Sequence, residues 1–452
     1  MFTRVLIANR GEVALRVLRA CKELGIETVA VYSRADAGSK YLDLADEAVC
    51  IGAPPPSDSY LNIPNIISAA EITNVDAIHP GYGFLAENDN FAEICEESNI
   101  VFIGPRSDVM RRVGNKTEAR RIAQDSKVPI IPGSSGTVED DEEALALAHQ
   151  LGYPVMIKAA AGGGGRGMRI AHNDISLKNM LALARSEAGT AFKDSAVYVE
   201  KVLERARHVE VQILADQHGN IIHLGERDCS IQRRFQKLIE ETPSPGIDGD
   251  LREKITRAAV RIARAVGYTN AGTVEFLVDE GGQFHFIEMN ARLQVEHPVT
   301  EEVTGVDIVK EQLRVAAGEE LPLQQKRLEF KGVAVECRVN AENPADAFRT
   351  SPGKIGEFVP PGGPGVRLDT HCHSGYEVKP FYDSMIAKLI VHQPTRDEAL
   401  ACLRRALSEF VVEGIHTTIP FCQDLIRHGG YVTGNFNIHF VDEFLESSRR
   451  PA

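Results

Sequence analysis

The segment Phe286-Ile-Glu-Met-Asn-Ala-Arg-Leu-Gln-Val-Glu-His-Pro298 sets polar side chains at Glu288, Asn290, Arg292, Gln294 and Glu296, each separated from the next by an apolar residue. Side chains of an extended chain alternate between two faces, so these groups share one face of a strand. A solvated strand shows water an interchangeable mix of Lys, Thr and Ser. Acid, amide and guanidinium behind Phe284 and Phe286 are instead distinct chemical functions in a row. The pattern predicts a reaction site lined up along a strand.

The preceding residues extend it into a hairpin. Thr273-Val-Glu-Phe-Leu-Val and Gln283-Phe-His-Phe-Ile-Glu flank Gly281-Gly282, a pair suited to a two-residue turn. With that turn Glu275 lies opposite Glu288, with Cβ atoms about 4.5–5.5 Å apart. Two carboxylates that close repel unless a cation joins them. A hard cation such as Mg²⁺ fits, held by one or two carboxylates and completed by substrate phosphates, with Asn290 as a further oxygen ligand. The alternative, two solvated acids on a surface hairpin, conflicts with flanking runs that are apolar on both faces and so read as buried.

A chain of 452 residues is long enough for two to four domains. Its net charge of −14, from 50 basic and 64 acidic residues, argues against nucleic acid or an anionic membrane as the main partner. Any anion site must then be a local concentration of basic side chains. The 8 cysteines include no Cys-x-x-Cys pair, which fits a reducing compartment, and the expected location is cytoplasmic. No signal peptide is expected ahead of Arg4-Val-Leu-Ile-Ala-Asn, and no apolar run approaches about 18 residues. His371-Cys-His373 reads as a polar loop, because three adjacent residues do not easily reach one metal ion.

Strand and helix alternate at the N-terminus: strands over 5–9, 28–33, 48–52 and 77–80, helices over 12–24 and 63–72. This is an α/β unit with a parallel sheet. Asn9-Arg-Gly-Glu supplies one glycine where a dinucleotide fingerprint needs three, which excludes NAD. His79-Pro-Gly-Tyr-Gly-Phe84 follows a strand end, where open sheets host ligands, although alone it reads equally well as a tight turn. A helical pattern from about Asp108 carries Lys116, and 129–133 links to a smaller unit with a helix over 142–151 and strands over 154–158 and 169–171. Between these strands lies Ala159-Ala-Ala-Gly-Gly-Gly-Gly-Arg-Gly-Met168. Strand, glycine loop and returning strand make a lid whose backbone N–H groups can approach a polyphosphate. No Gly-Lys-Ser/Thr opens a helix there, so this is not a Walker A loop.

Alternating runs over 196–203, 208–214 and 220–226 predict antiparallel strands. Arg227, Arg233, Arg234 and Lys237 then crowd one segment that enters a strand at Leu238-Ile239, aiming Lys237 into a cleft. After about Glu319 a strand-rich tail, 332–340 and 376–392, ends in an amphipathic helix over 397–410.

Ala-Asn-Arg-Gly-Glu (8–12), His-Pro-Gly-Tyr-Gly-Phe (79–84), the glycine lid, Glu-Arg-Asp-Cys-Ser (226–230) and Glu-Met-Asn-Ala-Arg-Leu-Gln-Val-Glu-His-Pro (288–298) resemble the biotin carboxylase branch of the ATP-grasp enzymes, from Val5 to about Val441. The resemblance implies a mixed α/β and α+β fold. Its parts are a Rossmann-like N-terminal unit (1–114), an ATP-grasp unit (115–318, with a mobile lid over about 131–203) and a β-rich C-terminal unit (330–446). It implies MgATP-dependent carboxylation of biotin by bicarbonate, with Mn²⁺ as an alternative ion, and a homodimer.

The same resemblance implies roles residue by residue. Lys116, Lys158 and the lid glycines Gly163, Gly164 and Gly165 bind the ATP phosphates. Glu200, Lys201 and Leu203 form the hinge at adenine, and His208 and Gln232 touch ribose and phosphates. Glu275, Glu288 and Asn290 are the Mg²⁺ ligands, the two acids also contacting ATP. Lys237, Arg292, Gln294 and Val295 form the bicarbonate pocket, with Glu296 as base. Arg338 meets the biotin carbonyl, and Tyr82, Gly83 and Phe84 border its ring. Phe235 departs from the pattern, since relatives often carry a polar residue there.

No Met precedes a Lys, so the biotinyl lysine is expected on a separate carrier protein, unless this chain is one piece of a larger protein, with carboxyltransferase subunits downstream. Acetyl-CoA is the expected acceptor; propionyl-CoA, pyruvate and 2-oxoglutarate systems use the same module. A different ATP-grasp carboxylate ligase needs Lys116, Lys158, Glu275 and Glu288 equally, but not the trio Lys237, Glu296 and Arg338. A nucleotide-binding subunit without catalysis needs none of the acid–base groups.

Overall fold

In the computed structural model, residues 1–160, 168–192 and 195–449 are described. The N-terminal unit is a five-stranded parallel sheet formed by β1 (Arg4–Ile7), β2 (Glu27–Ser33), β3 (Glu47–Gly52), β4 (Ala77–His79) and β5 (Val101–Phe102), in the order β3-β2-β1-β4-β5. Val5, Leu6 and Ile7 of central β1 are fully buried, as a strand covered on both faces requires. Helix α1 (Gly11–Glu23) follows β1 at once and buries Val13, Ala14, Val17 and Leu18.

A small three-stranded sheet, β7-β6-β8, forms the lid-like unit from β6 (Val155–Ala159), β7 (Arg169–Ala171) and β8 (Val197–Lys201). Helices Asp141–Leu151 and Asp174–Phe192 accompany it. The glycines Gly163, Gly164 and Gly165 lie outside the described residues.

The largest sheet has eight strands. It uses β9 (Ala206–Ala215), β10 (Ile221–Arg233), β11 (Gln236–Thr242), β12 (Asn270–Asp279), β13 (Phe284–Asn290) and β14 (Val333–Asn340), then strands Met385–Gln393 and Val366–Thr370. The order is β13-β12-β9-β10-β11-β14, followed by Met385–Gln393 and Val366–Thr370. Pairing of β11 with β14 carries this sheet from the central strands into the C-terminal ones. Helix ends follow local chemistry: Asp248 accepts a hydrogen bond from Leu251 N to start Gly249–Val266, and left-handed Gly267 (φ 66°) stops it. Thr395 and Glu398 form a reciprocal capping box at Arg396–Glu409.

Candidate active site

The turn between β12 and β13 is Glu280-Gly281-Gly282, one residue longer than the Gly-Gly turn expected. Asp279 N donates to Gln283 O at 2.9 Å and Gly282 has φ 74°. Phe276 consequently pairs with Phe286, and a bulge at Ile287 restores Glu275 opposite Glu288. The two acids face each other as expected, through two compensating irregularities. A second correction concerns burial: β12 is buried, but β13 is an edge strand and half exposed.

The five polar groups do not share one strand either. β13 ends at Asn290, residues 291–295 are irregular, and Glu296 (φ −81°, ψ 10°) stands at the N-cap position of helix His297–Thr304, with Pro298 in its first turn. Proline there favours a helix start and ends the extended run. The side chains still converge. Asn290 Nδ2 donates to Glu275 Oε1 at 2.8 Å, and Arg292 donates to Gln294 Oε1 at 2.8 Å and Asn290 Oδ1 at 3.3 Å. Glu87 fixes this loop, accepting from Ala291 N at 3.3 Å and lying 2.9 Å from Arg292 Nε.

Lys237, on β11, is the centre of the site. Its Nζ donates to Glu210 Oε2 at 2.5 Å, Glu296 Oε1 at 2.6 Å and Glu275 Oε1 at 3.2 Å. Below it Arg227, 0% exposed, donates to Glu210 Oε1 at 2.6 Å and to Gln212, Thr273 and Thr300. On the far side Arg338 donates to Glu296 Oε2 at 2.9 Å and Glu240 Oε1 at 2.7 Å. His208 Nε2 lies 2.9 Å from Glu275 Oε2.

The enclosed acids do not titrate alike. Burial alone would raise Glu296, but Lys237, Arg338 and Arg227 hold it well below the usual carboxylate range. Glu275 is likewise lowered, against burial, by Lys237 and His208. Glu240 is pushed up to about 7 by burial, against the pull of Arg338. The cluster thus keeps Glu296 anionic between Lys237 and Arg338, and Glu275 anionic beside Lys237 and His208.

The other cations stand apart. Lys116, first in helix Lys116–Asp125, lies 3.5 Å from Glu288 Oε2. Lys158 on β6 pairs with Glu200 on β8, which also accepts from Arg120 at 3.1 Å. Lys201 turns back onto Gly152 O and Tyr153 O at 2.9 and 3.1 Å, and it lines an open cleft with Leu203, Tyr153 and Gly281. Gln232 is buried on β10 opposite Lys237. Arg234 and Phe235 (φ 48° and 66°) form the tight turn from β10 to β11, leaving Phe235 50% exposed.

The loop after β4 carries Tyr82, Gly83 and Phe84. Asn9 Nδ2 holds Pro80 O and Tyr82 O at 2.7 and 2.8 Å, and Phe84 stacks on Tyr60 at 5.1 Å. Val295 O accepts from Lys388 Nζ at 2.9 Å.

Glu87, Glu210, Glu240 and Lys388 were not read from the sequence, and Arg227 only as one of the four cations crowding its segment. For Glu210 a signal exists, since His208, Glu210 and Gln212 alternate with Val209, Val211 and Ile213 just as the residues of 288–296 do.

Family profiles described as biotin carboxylase, N-terminal domain; carbamoyl-phosphate synthase L chain, ATP binding domain; and biotin carboxylase C-terminal domain match residues 1–110, 115–324 and 336–443. Biotin carboxylase 1 of Bacillus subtilis (strain 168) is 57% identical over 445 residues, 98% of this chain and 99% of that protein. Biotin carboxylase of Nostoc sp. is 55% identical over 442 residues, 98% of this chain and 99% of that one. The biotin carboxylase domain dimer of Hydrogenobacter thermophilus 2-oxoglutarate carboxylase, a complex with MgADP, ADP and bicarbonate, superposes with a TM-score of 0.97 at 47% identity, covering 100% of both chains. This chain belongs to the biotin carboxylase family and is an ATP-dependent ligase of the ATP-grasp class.

Proposed function

We propose that the chain carboxylates biotin on a separate carrier protein, using bicarbonate and MgATP, and that Glu296 is the base. The observation that carries this reading is the position of Glu296, an enclosed carboxylate between Lys237 and Arg338. Bicarbonate is a poor nucleophile until its remaining proton leaves, and a carboxylate beside it accepts that proton. Lys237 and Arg292, with Gln294 and the 295 peptide, bind the anion and stabilise the dianion. Bicarbonate also takes over part of the positive charge that holds Glu296, which makes Glu296 more basic when substrate arrives.

Attack on the γ-phosphate is then mainly positioning. Lys116, Lys158 and Gly163–Gly165 take the phosphates; Glu200, Lys201, Leu203, His208 and Gln232 take the nucleoside side. Glu275, facing Glu288 across the hairpin, with Asn290 Oδ1 beyond, offers the oxygen donors a hard divalent cation needs, and Lys116 already supplies positive charge at Glu288. These three residues would hold Mg²⁺, which neutralises phosphate charge. Carboxyphosphate breaks down to CO₂ and phosphate, phosphate takes the biotin N–H proton, and Arg338 holds the enolate-like oxygen until CO₂ is captured. Tyr82, Gly83 and Phe84 border that pocket, and excluding water protects the intermediate.

The functional units are 1–114, 115–318 and 330–446. The enzyme acts as a cytoplasmic homodimer with a carrier protein and carboxyltransferase subunits, in the first half-reaction of acetyl-CoA carboxylase and fatty acid synthesis. A 2-oxoglutarate acceptor is the second reading, favoured by the close superposition on the Hydrogenobacter domain. Transfer of labelled bicarbonate carbon to free biotin tests the first step, and acceptor screening with carrier and carboxyltransferase tests the second. Absence of label in biotin, with ADP formed from another carboxylate, would overturn the assignment.

A further inference from the structure

Lys388 is 0% exposed, yet the reaction scheme gives it no task. It lies on the strand Met385–Gln393, directly opposite Arg338 of β14. Its Nζ donates to Val295 O at 2.9 Å, lies 3.3 Å from Glu12 Oε2 and 3.9 Å from Asp369 Oδ2, and sits 5.9 Å from the centroid of the Tyr82 ring. A buried ammonium is costly unless paired, so its partners define where it must stay. Asp369 is already held by Arg367 at 2.8 Å, which leaves Glu12 as the carboxylate within ion-pair distance of Lys388 that pairs with no other cation among the described residues, with buried Glu336 adding a longer-range attraction. Beyond its ion pair with Lys388, neither buried Glu12 oxygen has a hydrogen-bond partner among the described residues.

Glu12 belongs to the Ala8–Glu12 motif, which the chemistry also leaves unused. At the start of that motif Asn9 pins Pro80 O and Tyr82 O. At its end Glu12 meets the lysine that holds the peptide joining Val295 to Glu296. One short segment at the β1–α1 junction therefore grips the walls on both sides of the site.

We propose that Lys388, anchored by Glu12, is a positioning residue that fixes the Val295 peptide and so aims the Glu296 carboxylate at bicarbonate. The inference rests on Glu296 being the base. Lys388 touches no reacting atom; it acts through the backbone next to the one that does. Misplacement of a reacting group by about 1 Å costs on the order of 10²-fold in rate.

The test compares K388M, E12Q, the K388M/E12Q double variant and E296Q in the full-length protein. Bicarbonate-dependent ADP formation, MgATP affinity and thermal stability are measured at pH 8. K388M is expected to lose about 10²-fold in kcat with bicarbonate while MgATP affinity stays within about twofold. The double variant removes both buried charges together, is expected to fold more stably than K388M, and is still expected to lose kcat because Val295 O has no donor. E12Q retains Lys388 and nearly the same volume, and a several-fold loss of kcat is expected. Wild-type kcat in the folded double variant overturns the proposal. Should neither lysine variant fold, wild-type kcat in E12Q overturns it. The underlying reading fails separately: if E296Q retains turnover, Glu296 is not the base, whatever Lys388 does.

Discussion

Two groups of cations face the proposed reaction path, and they are built differently. Around Lys237, charges interlock: three carboxylates share one ammonium, Glu210 is shared with Arg227, and Glu296 with Arg338. On the nucleotide side Lys116 has Glu288 as its one ion-pair partner among the described residues, while Lys158 pairs with Glu200, which Arg120 also holds. Interlocked buried charges cannot move singly without exposing their partners, so the bicarbonate side is fixed before substrate arrives. A simple pair such as Lys116–Glu288 can exchange its carboxylate for a phosphate. The protein thus preorganises where the proton moves, and leaves the Lys116 end of the nucleotide side to a pair that opens at little cost.

Variants in the interlocked group should lose turnover and keep nucleotide affinity. Glu296→Ala, as loss of a general base, should lower bicarbonate-dependent ADP formation by about 10²–10⁴-fold while the MgATP dissociation constant stays near wild type. Parallel loss of both would merge the two regions into one. Arg338→Ala should lower biotin carboxylation by about 10²–10³-fold and biotin-independent ATP hydrolysis far less, because its proposed task begins only when the biotin oxygen carries charge. Equal losses in the two assays would move Arg338 to the nucleotide.

Stability should separate the regions too. Lys237→Met leaves Glu210, Glu275 and Glu296 without their common cation, and a loss of about 3–5 kcal/mol is expected in denaturant unfolding. Lys116→Met breaks one partly exposed pair and should cost less than about 1 kcal/mol. Similar costs would mean that the interlocking has no energetic content.

The smallest effect concerns pH. Burial pushes Glu12 above the ordinary carboxylate range, up to about 7, against the pull of Lys388. A raised carboxyl contributes stability that is fully present below about pH 4.5 and is lost as pH rises through about 7. E12Q has no proton to lose, so its Tm should fall less than that of wild type between pH 5 and pH 8. Parallel Tm curves would place the titration elsewhere.

The helices and strands around these groups were largely legible from periodicity, as at 63–72, where the expected helix is the observed one, Ile63–Ile72. The facing of Glu275 and Glu288 was legible as well, although the turn and the Ile287 bulge that produce it were not, because adding one residue to each leaves the same pattern of side chains. What sequence could not show was non-local. Glu240 reaches Arg338 because β11 pairs with β14, and Lys388 reaches Val295 because a C-terminal strand passes beneath the 291–295 loop. No local pattern encodes a pairing between strands some ninety residues apart. The polar alternation of 288–296 read as one strand because period two was present throughout; the helix start at His297-Pro298 overrode it. Among the described residues no helix is long and apolar enough to cross a membrane.

The most direct test is ADP release by the purified chain with MgATP, with bicarbonate withheld or supplied and free biotin withheld or supplied. ADP formation that requires bicarbonate and rises with biotin is the expected result. ADP formation indifferent to both would contradict Glu296 as a bicarbonate base and the role given to the cluster around Lys237.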